Sequence, residues 1–235
     1  MSDTPSSAKV VAQLQGVGRD YETDAGVVHA LSDVSLEITE GEVVAIAGPS
    51  GSGKSTLLGL IGALDTATSG VIEVEGNTLS ELSSTEAAAL RRDRIGFIFQ
   101  AYNLIPVLTA IENVEYVMLL QGKDKAARTE RATEVLSAVG LGDLIHRRPN
   151  ELSGGQQQRV AVARALAANP ALILADEPTA NLDSQTASEL LDMMVELNQS
   201  FGTTFVFSTH DPMVMERASR IIRLRDGKVE AQENA

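Results

Sequence analysis

The chain has 235 residues, 43% of them apolar, which is enough to bury a core and argues against a disordered chain; the length fits one large α/β domain or two small ones. It carries 19 basic against 32 acidic residues, a net charge of −13, so a bare nucleic-acid surface is not expected; the densest basic cluster, Arg91, Arg92 and Arg94, sits beside Asp93 and reads as the solvated side of a helix. The absence of cysteine excludes disulfides and thiolate metal sites, the polar Met1–Ser7 lacks the apolar core of a secretory signal, and no run approaches the roughly 18 apolar residues of a membrane span.

From the N-terminus, Val10–Leu14 and the set Val34, Leu36 and Ile38 alternate with polar neighbours, which predicts half-buried antiparallel strands. Tyr21 lies between them and is a candidate to stack on a base, in a chain only 3% aromatic. The run Val43–Ala47 then leads into Gly48-Pro49-Ser50-Gly51-Ser52-Gly53-Lys54-Ser55-Thr56, and Leu57, Leu58, Leu60 and Ile61 follow. That order reads as strand, loop, helix. Glycines at 48, 51 and 53 let backbone N–H groups crowd around phosphate oxygens, and the helix starting near Lys54 aims its positive dipole end at them. In the pattern G-x-x-x-x-G-K-S/T the lysine neutralises β- and γ-phosphates and the next hydroxyl binds Mg²⁺, which gives Lys54 and Ser55 their expected roles.

Gly70–Gly76 alternates like a strand between turns, and Ser83 with Glu86 forms a capping box that opens a helix through about Arg92. Ile95–Phe99 is a buried strand candidate ending at Gln100, where α/β sheets present ligand groups. The composition shifts from Ala101. A helix from about Ile111 to Leu120, and the i, i+3, i+4, i+7 set Ala132, Val135, Leu136 and Val139, predict a mostly helical subdomain over 101–149. Residues 8–100 and 150–235 then form the α/β core and its antiparallel subdomain, within one domain. Tyr102–Leu108 is apolar for a loop and reads either as core packing or as a docking segment for a partner.

Leu152-Ser153-Gly154-Gly155-Gln156 makes a second unusual stretch: Ser153 is a plausible N-cap, and two glycines leave the first-turn N–H groups bare to an anion. The continuous apolar run Ala171–Ala175 predicts a strand buried on both faces and ends at Asp176-Glu177. Two carboxylates there are costly unless a cation waits, and Mg²⁺ would serve. A helix from about Ser184, a strand over Thr203–Ser208 ahead of Thr209-His210-Asp211, and a hairpin around Asp226-Gly227 complete the chain.

On these motifs, in this order, the chain resembles over essentially its whole length the ATP-binding subunit of ABC transporters, a P-loop NTPase fold with a mostly parallel core sheet, an antiparallel β subdomain and a helical signature subdomain. Phe99–Pro106, Leu108–Val114, Ala175–Thr179 and Asn181–Asp183 are similar to the branch holding lipoprotein-releasing and macrolide-export ATPases, with Ala180 standing where a Gly is commoner.

The resemblance implies ATP and Mg²⁺ as cofactors and a head-to-tail homodimer. Tyr21 would stack on adenine, Gly48 to Thr56 would hold the phosphates, and Ser55, Gln100 and Asp176 would reach Mg²⁺. Glu177 would polarise the attacking water, with Gln100 beside it and His210 bracing the γ-phosphate. Leu152 to Gln156 would act in trans on the other subunit's nucleotide, and Asn181, Leu182 and Asp183 would lie at the dimer interface. Ala101–Leu108 would meet an integral membrane permease at the cytoplasmic face of the inner membrane, in export or in extraction of lipid or lipoprotein. Two alternatives are weighed against this. A non-transport ABC ATPase acting on nucleic acid or ribosomes would carry long coiled-coil insertions or two cassettes, and a P-loop kinase leaves Ser153–Gln158 and His210 unexplained.

Overall fold

A computed structural model describes residues 9–24 and 26–234, so Met1–Ser7 falls outside the described residues. The chain opens with β1 (Val10–Thr23) and β2 (Gly26–Thr39), paired antiparallel. Each is longer than the alternating stretch that announces it. Register shifts after Leu14, Val17 and Arg19 let the ladder continue past Gly16, whose φ is 59°, and Tyr21 consequently stands inside β1 rather than between strands.

Next come β3 (Val43–Ala47), α1 (Lys54–Ile61), β4 (Ser69–Val74) and β5 (Asn77–Thr78). Helix α2 (Ser84–Arg94) is opened by the expected capping box, with Ser83 N donating to Glu86 Oε2 at 2.8 Å and Glu86 N to Ser83 Oγ at 3.3 Å. Strand β6 (Ile95–Ile98) precedes α3 (Ala110–Leu120), α4 (Lys125–Ala138) and α5 (Gly154–Ala167). The chain closes with β7 (Leu172–Asp176), α6 (Ser184–Phe201), β8 (Thr204–Thr209), α7 (Pro212–Met215), β9 (Arg220–Arg225) and β10 (Lys228–Asn234).

Two sheets result. The antiparallel one runs β2-β1-β4-β5, and the larger runs β10-β9-β3-β8-β7-β6, parallel except where β10 returns as a hairpin on β9. All five residues of β3 are buried, because the alternate side chains of this strand feed two cores. Val44 and Ile46 join Leu57, Leu60 and Ile61 of α1 and the inner face of the antiparallel sheet. Val43 and Ala45 face a second cluster holding Leu190 and Met194 of α6 together with apolar residues of α3, α4 and α5. Helix α5, from beyond residue 149, thus completes the helical layer. Among the described residues no helix is long and apolar enough to cross a membrane.

The strand order positions the site. Neighbouring parallel strands β3, β8, β7 and β6 end at one edge of the sheet, where open α/β sheets bind ligands. Ala47 pairs with Thr209, Asp176 with Ser208 and Ile98 with Ala175. Stretches far apart in sequence therefore emerge side by side.

Candidate nucleotide site

The loop after β3 rises from that edge and wraps the start of α1. Gly51 and Gly53 take φ of 80° and 100°, the left-handed region where a side chain is strained, and at Gly53 a Cβ would stand 2.6 Å from the Ala30 carbonyl oxygen. Gly53 is the N-cap of α1 and supplies no side-chain acceptor, so the first-turn N–H groups stay open to an anion. Lys54 is only 7% exposed and folds back over the loop, its Nζ donating to Gly48 O at 2.8 Å and Pro49 O at 2.9 Å. The Ser52 hydroxyl is buried and has no partner among the described residues. A buried ammonium satisfied by neutral carbonyls and an orphaned hydroxyl suit a phosphate chain.

Opposite the loop, Ser55 Oγ donates to Asp176 Oδ1 at 3.1 Å, and Ser208 Oγ donates to the same carboxylate oxygen. Glu177, the next residue, has a φ of 46°, a strained backbone held by its amide donating to Ser208 O at 3.1 Å. The turn swings its carboxylate away from that of Asp176: Glu177 Oε1 lies 2.9 Å from His210 Nδ1 and 4.0 Å from Lys54 Nζ. The adjacent carboxylates thus take separate posts, one against Ser55 and one toward the loop lysine.

Gly51, Gly53, Lys54, Ser55, Glu177 and His210 line one cleft of about 600 Å³ together with Pro49, Ser50, Thr56, Gln100 and Ala180; Asp176 is not among its lining residues and reaches it through Ser55. Val28, His29 and Ala30 of β2 form its other wall. Tyr21 is not among the lining residues. It is the cross-strand partner of Val28, and its hydroxyl donates to Asp65 Oδ2 at 2.8 Å. Gln100 is exposed, and its carbonyl accepts from Asn181 Nδ2 at 2.9 Å, which ties the end of β6 to the segment after Glu177.

The second glycine stretch stands apart from the cleft. Ser153 caps α5 in a capping box, with Gln156 N donating to Ser153 Oγ at 3.3 Å and Ser153 N to Gln156 Oε1 at 2.9 Å; Leu152 is buried beside it. The glycines have a packing reason as well. A Cβ on Gly154 would come 2.9 Å from the Tyr102 hydroxyl oxygen, and one on Gly155 would fall well inside contact distance of Thr186 Cγ2. Asp183 caps α6, accepting from Thr186 N at 3.0 Å and Gln185 N at 3.1 Å; the Thr186 amide, then the Thr186 hydroxyl, hold its carboxyl below the usual range. Leu182 packs on the core cluster next to them.

Two contributors carry no motif. Ser208 reads in sequence as a strand residue, and only the β7–β8 register puts it on Asp176. Arg164 of α5 donates to the carbonyls of Tyr102, at 3.0 Å, and Asn103, whose φ values of 51° and 50° make a left-handed turn after Gln100; burial pushes its guanidinium pKa down.

A glycine loop at a helix start, a buried lysine and carboxylates at the end of β7, one strand removed from β3 across β8, define a P-loop nucleoside triphosphatase. Comparison with known proteins narrows the class. The ABC transporter family profile matches residues 31–180. An uncharacterized ABC transporter ATP-binding protein of Thermotoga maritima is 49% identical over 225 residues, 96% of each chain. Macrolide export ATP-binding/permease protein MacB 1/2 of Paracoccus denitrificans is 47% identical over 93% of this chain, which spans 33% of that protein. The dimeric structure of the ATP-binding cassette MJ0796 bound to ADP and Pi superposes with a TM-score of 0.87, at 45% identity over 95% of this chain and 98% of that one. The chain belongs to the ABC transporter family, as an ATP-hydrolysing, ATP-binding component.

Proposed function

We propose that this ATPase works as a homodimer that drives a membrane permease, with each residue of the cleft in the role set out below. The observation that carries the reading is the divided pair at the end of β7, with Asp176 on Ser55 at 3.1 Å and Glu177 on His210 at 2.9 Å. The N–H groups of the 48–56 loop and Lys54 hold the triphosphate. The hydroxyl of Ser55 and the carboxylate of Asp176 are hard oxygen donors within one ion's reach of each other, and with Gln100 at the same cleft they fit a Mg²⁺ that takes its other ligands from phosphate and water. When bound, it neutralises charge on the β- and γ-oxygens.

Glu177 is the acceptor for the proton of water attacking the γ-phosphorus, as the bond to the β–γ bridging oxygen breaks and ADP and phosphate form. His210 orients that carboxylate. Within one chain Ser153 and Gly154 do not line the cleft, so the open face of the γ-phosphate is left for the α5 start of a second copy, an anion cradle of the same kind. The solved dimer of the MJ0796 cassette supports pairing of two copies, and we assign Asn181–Asp183 to the shared face.

The permease meets Ala101–Leu108 and the adjoining groove of about 390 Å³, whose walls include Leu64, Phe97, Phe99 and Val117. Val107 is 71% exposed there. The chain is then peripheral to the cytoplasmic face of the inner membrane. Similarity to a protein named for macrolide export favours export or extraction, and the choice of cargo falls to the permease. The test is Glu177→Gln. It should bind MgATP, lose about 10²- to 10⁴-fold in phosphate release, and elute as a dimer with MgATP. Wild-type turnover would remove Glu177 from its role, and a monomer at saturating MgATP would refute the paired assembly.

A further inference from the structure

Beside Val28, at the wall of the cleft, Tyr21, expected to stack on the base, forms a closed set with two side chains, Arg19 and Asp65, that the reading above leaves without a role. Arg19 lays its guanidinium over the Tyr21 ring, with Cζ 4.4 Å from the centroid. Its Nε donates to Asp65 Oδ2 at 2.9 Å, and a terminal guanidinium nitrogen stands 2.8 Å from Asp65 Oδ1, a two-point fork. The Tyr21 hydroxyl donates to the same Oδ2 at 2.8 Å. Asp65 therefore grips both the hydroxyl of the ring and the cation packed on its face.

Asp65 belongs to the turn just after α1, the helix that begins with Lys54, and its Oδ1 also accepts from Thr66 N at 2.8 Å. The ring is thus indexed to the same helix that presents the phosphate loop. Tyr21 and Val28 are direct cross-strand partners, so their side chains stand on one face of the β1–β2 ribbon, and Val28 lines the cleft. A guanidinium occupies one face of an aromatic ring and leaves the other for a flat partner.

We infer that Arg19 and Asp65 are positioning residues for the purine of the nucleotide: they fix the Tyr21 ring at a set height and tilt before ATP arrives, so that binding does not bear the cost of ordering it. The inference rests on the stacking of Tyr21 on adenine that the family resemblance implies. Preorganisation of this kind raises affinity for the base and leaves phosphate binding alone. A purely structural tie between β1 and α1 would instead affect every ligand of the cleft equally.

The experiment compares binding of MgATP and of magnesium tripolyphosphate, which has no base, by Arg19→Gln, Tyr21→Phe and Tyr21→Ala proteins, with ATPase kinetics and melting temperature alongside. Arg19→Gln and Tyr21→Phe should each weaken ATP about three- to tenfold, in KM rather than kcat, with tripolyphosphate bound as by wild type. Arg19→Lys, which keeps the charge and loses the fork, should recover only part. If Tyr21→Ala loses ATP affinity while Arg19→Gln and Tyr21→Phe do not, the inference falls and the stacking stands. If Tyr21→Ala itself binds ATP like wild type, the stacking falls and takes the inference with it. Equal losses for ATP and tripolyphosphate would reduce the cluster to a scaffold. Should Arg19→Gln fail to fold, Tyr21→Phe, which deletes one oxygen, decides alone.

Discussion

Gly155→Ala is a one-methyl perturbation aimed at the start of α5. Gly155 is buried, and a Cβ there meets Thr186 Cγ2 in the first turn of α6 well inside contact distance. Thr186 cannot simply rotate away, because its Oγ1 donates to Asp183 Oδ2 at 2.7 Å within the α6 cap. One helix start must therefore move by about 1 Å to restore a normal carbon–carbon separation of roughly 3.5–4 Å. Alanine gains up to about 1 kcal/mol over glycine in a helix, and overpacking costs about 1–3 kcal/mol, so the net loss of stability is about 0–2 kcal/mol. The larger effect falls on turnover. Ser153 and Gly154 ride on the same turn, and a displacement of about 1 Å in a group that completes a site can cost about 10²-fold. Denaturant unfolding and phosphate release with MgATP measure the two terms separately. Thr186→Ser keeps the hydroxyl for Asp183 and deletes the offending methyl, so the Gly155→Ala/Thr186→Ser protein should regain most of the activity. Wild-type turnover in Gly155→Ala, or no recovery in the double variant, would refute the packing argument.

Two further outcomes follow from buried polar contacts. Burial pushes the Glu75 carboxyl up, but hydrogen bonds from Lys9, at 2.8 Å, and Arg94 outweigh it and hold the pKa below the ordinary 4.5. A depressed pKa contributes stability above the unfolded value and loses it as pH falls through the folded one. Glu75→Gln should thus be less stable than wild type by about 1–3 kcal/mol at pH 7, with the gap closing as urea unfolding is repeated below pH 4.5. Arg164→Met keeps an unbranched apolar stem but removes the donors from the carbonyls of Tyr102 and Asn103, in a left-handed turn that needs holding. It should lose about 1–3 kcal/mol in denaturant unfolding.

Much of this molecule is legible in its sequence because local chemistry carries it. The glycines and lysine of 48–54 announce a phosphate loop, Ser83 with Glu86 announces a capping box and Ser153 an N-cap, and the structure forms both helix starts, adding Gln156 as the partner of Ser153. Other features are silent. Nothing in Thr203–Ser208 says that Ser208 will sit on Asp176, since that depends on the pairing register of two strands more than thirty residues apart. The length of β1 and β2 escaped the alternation because irregular pairing beyond Leu14 breaks the period-two signal. The buried amide of Gln158, which donates to Pro178 O at 2.8 Å, likewise reads as one more glutamine in a polar run.

The sequence by itself determined the parts: a strand, loop and helix that bind an anion, a second capped helix opened by glycines, and a strand ending in two carboxylates. Backbone geometry and side-chain chemistry over a few residues suffice for that. Tertiary structure alone decided their arrangement, by placing β3, β8, β7 and β6 side by side with their carboxyl ends at one edge and by turning Glu177 away from Asp176 through a left-handed backbone. Strand order and register are set by the burial of whole faces against α1 and α6, a sum over residues distant in the chain that no local window contains.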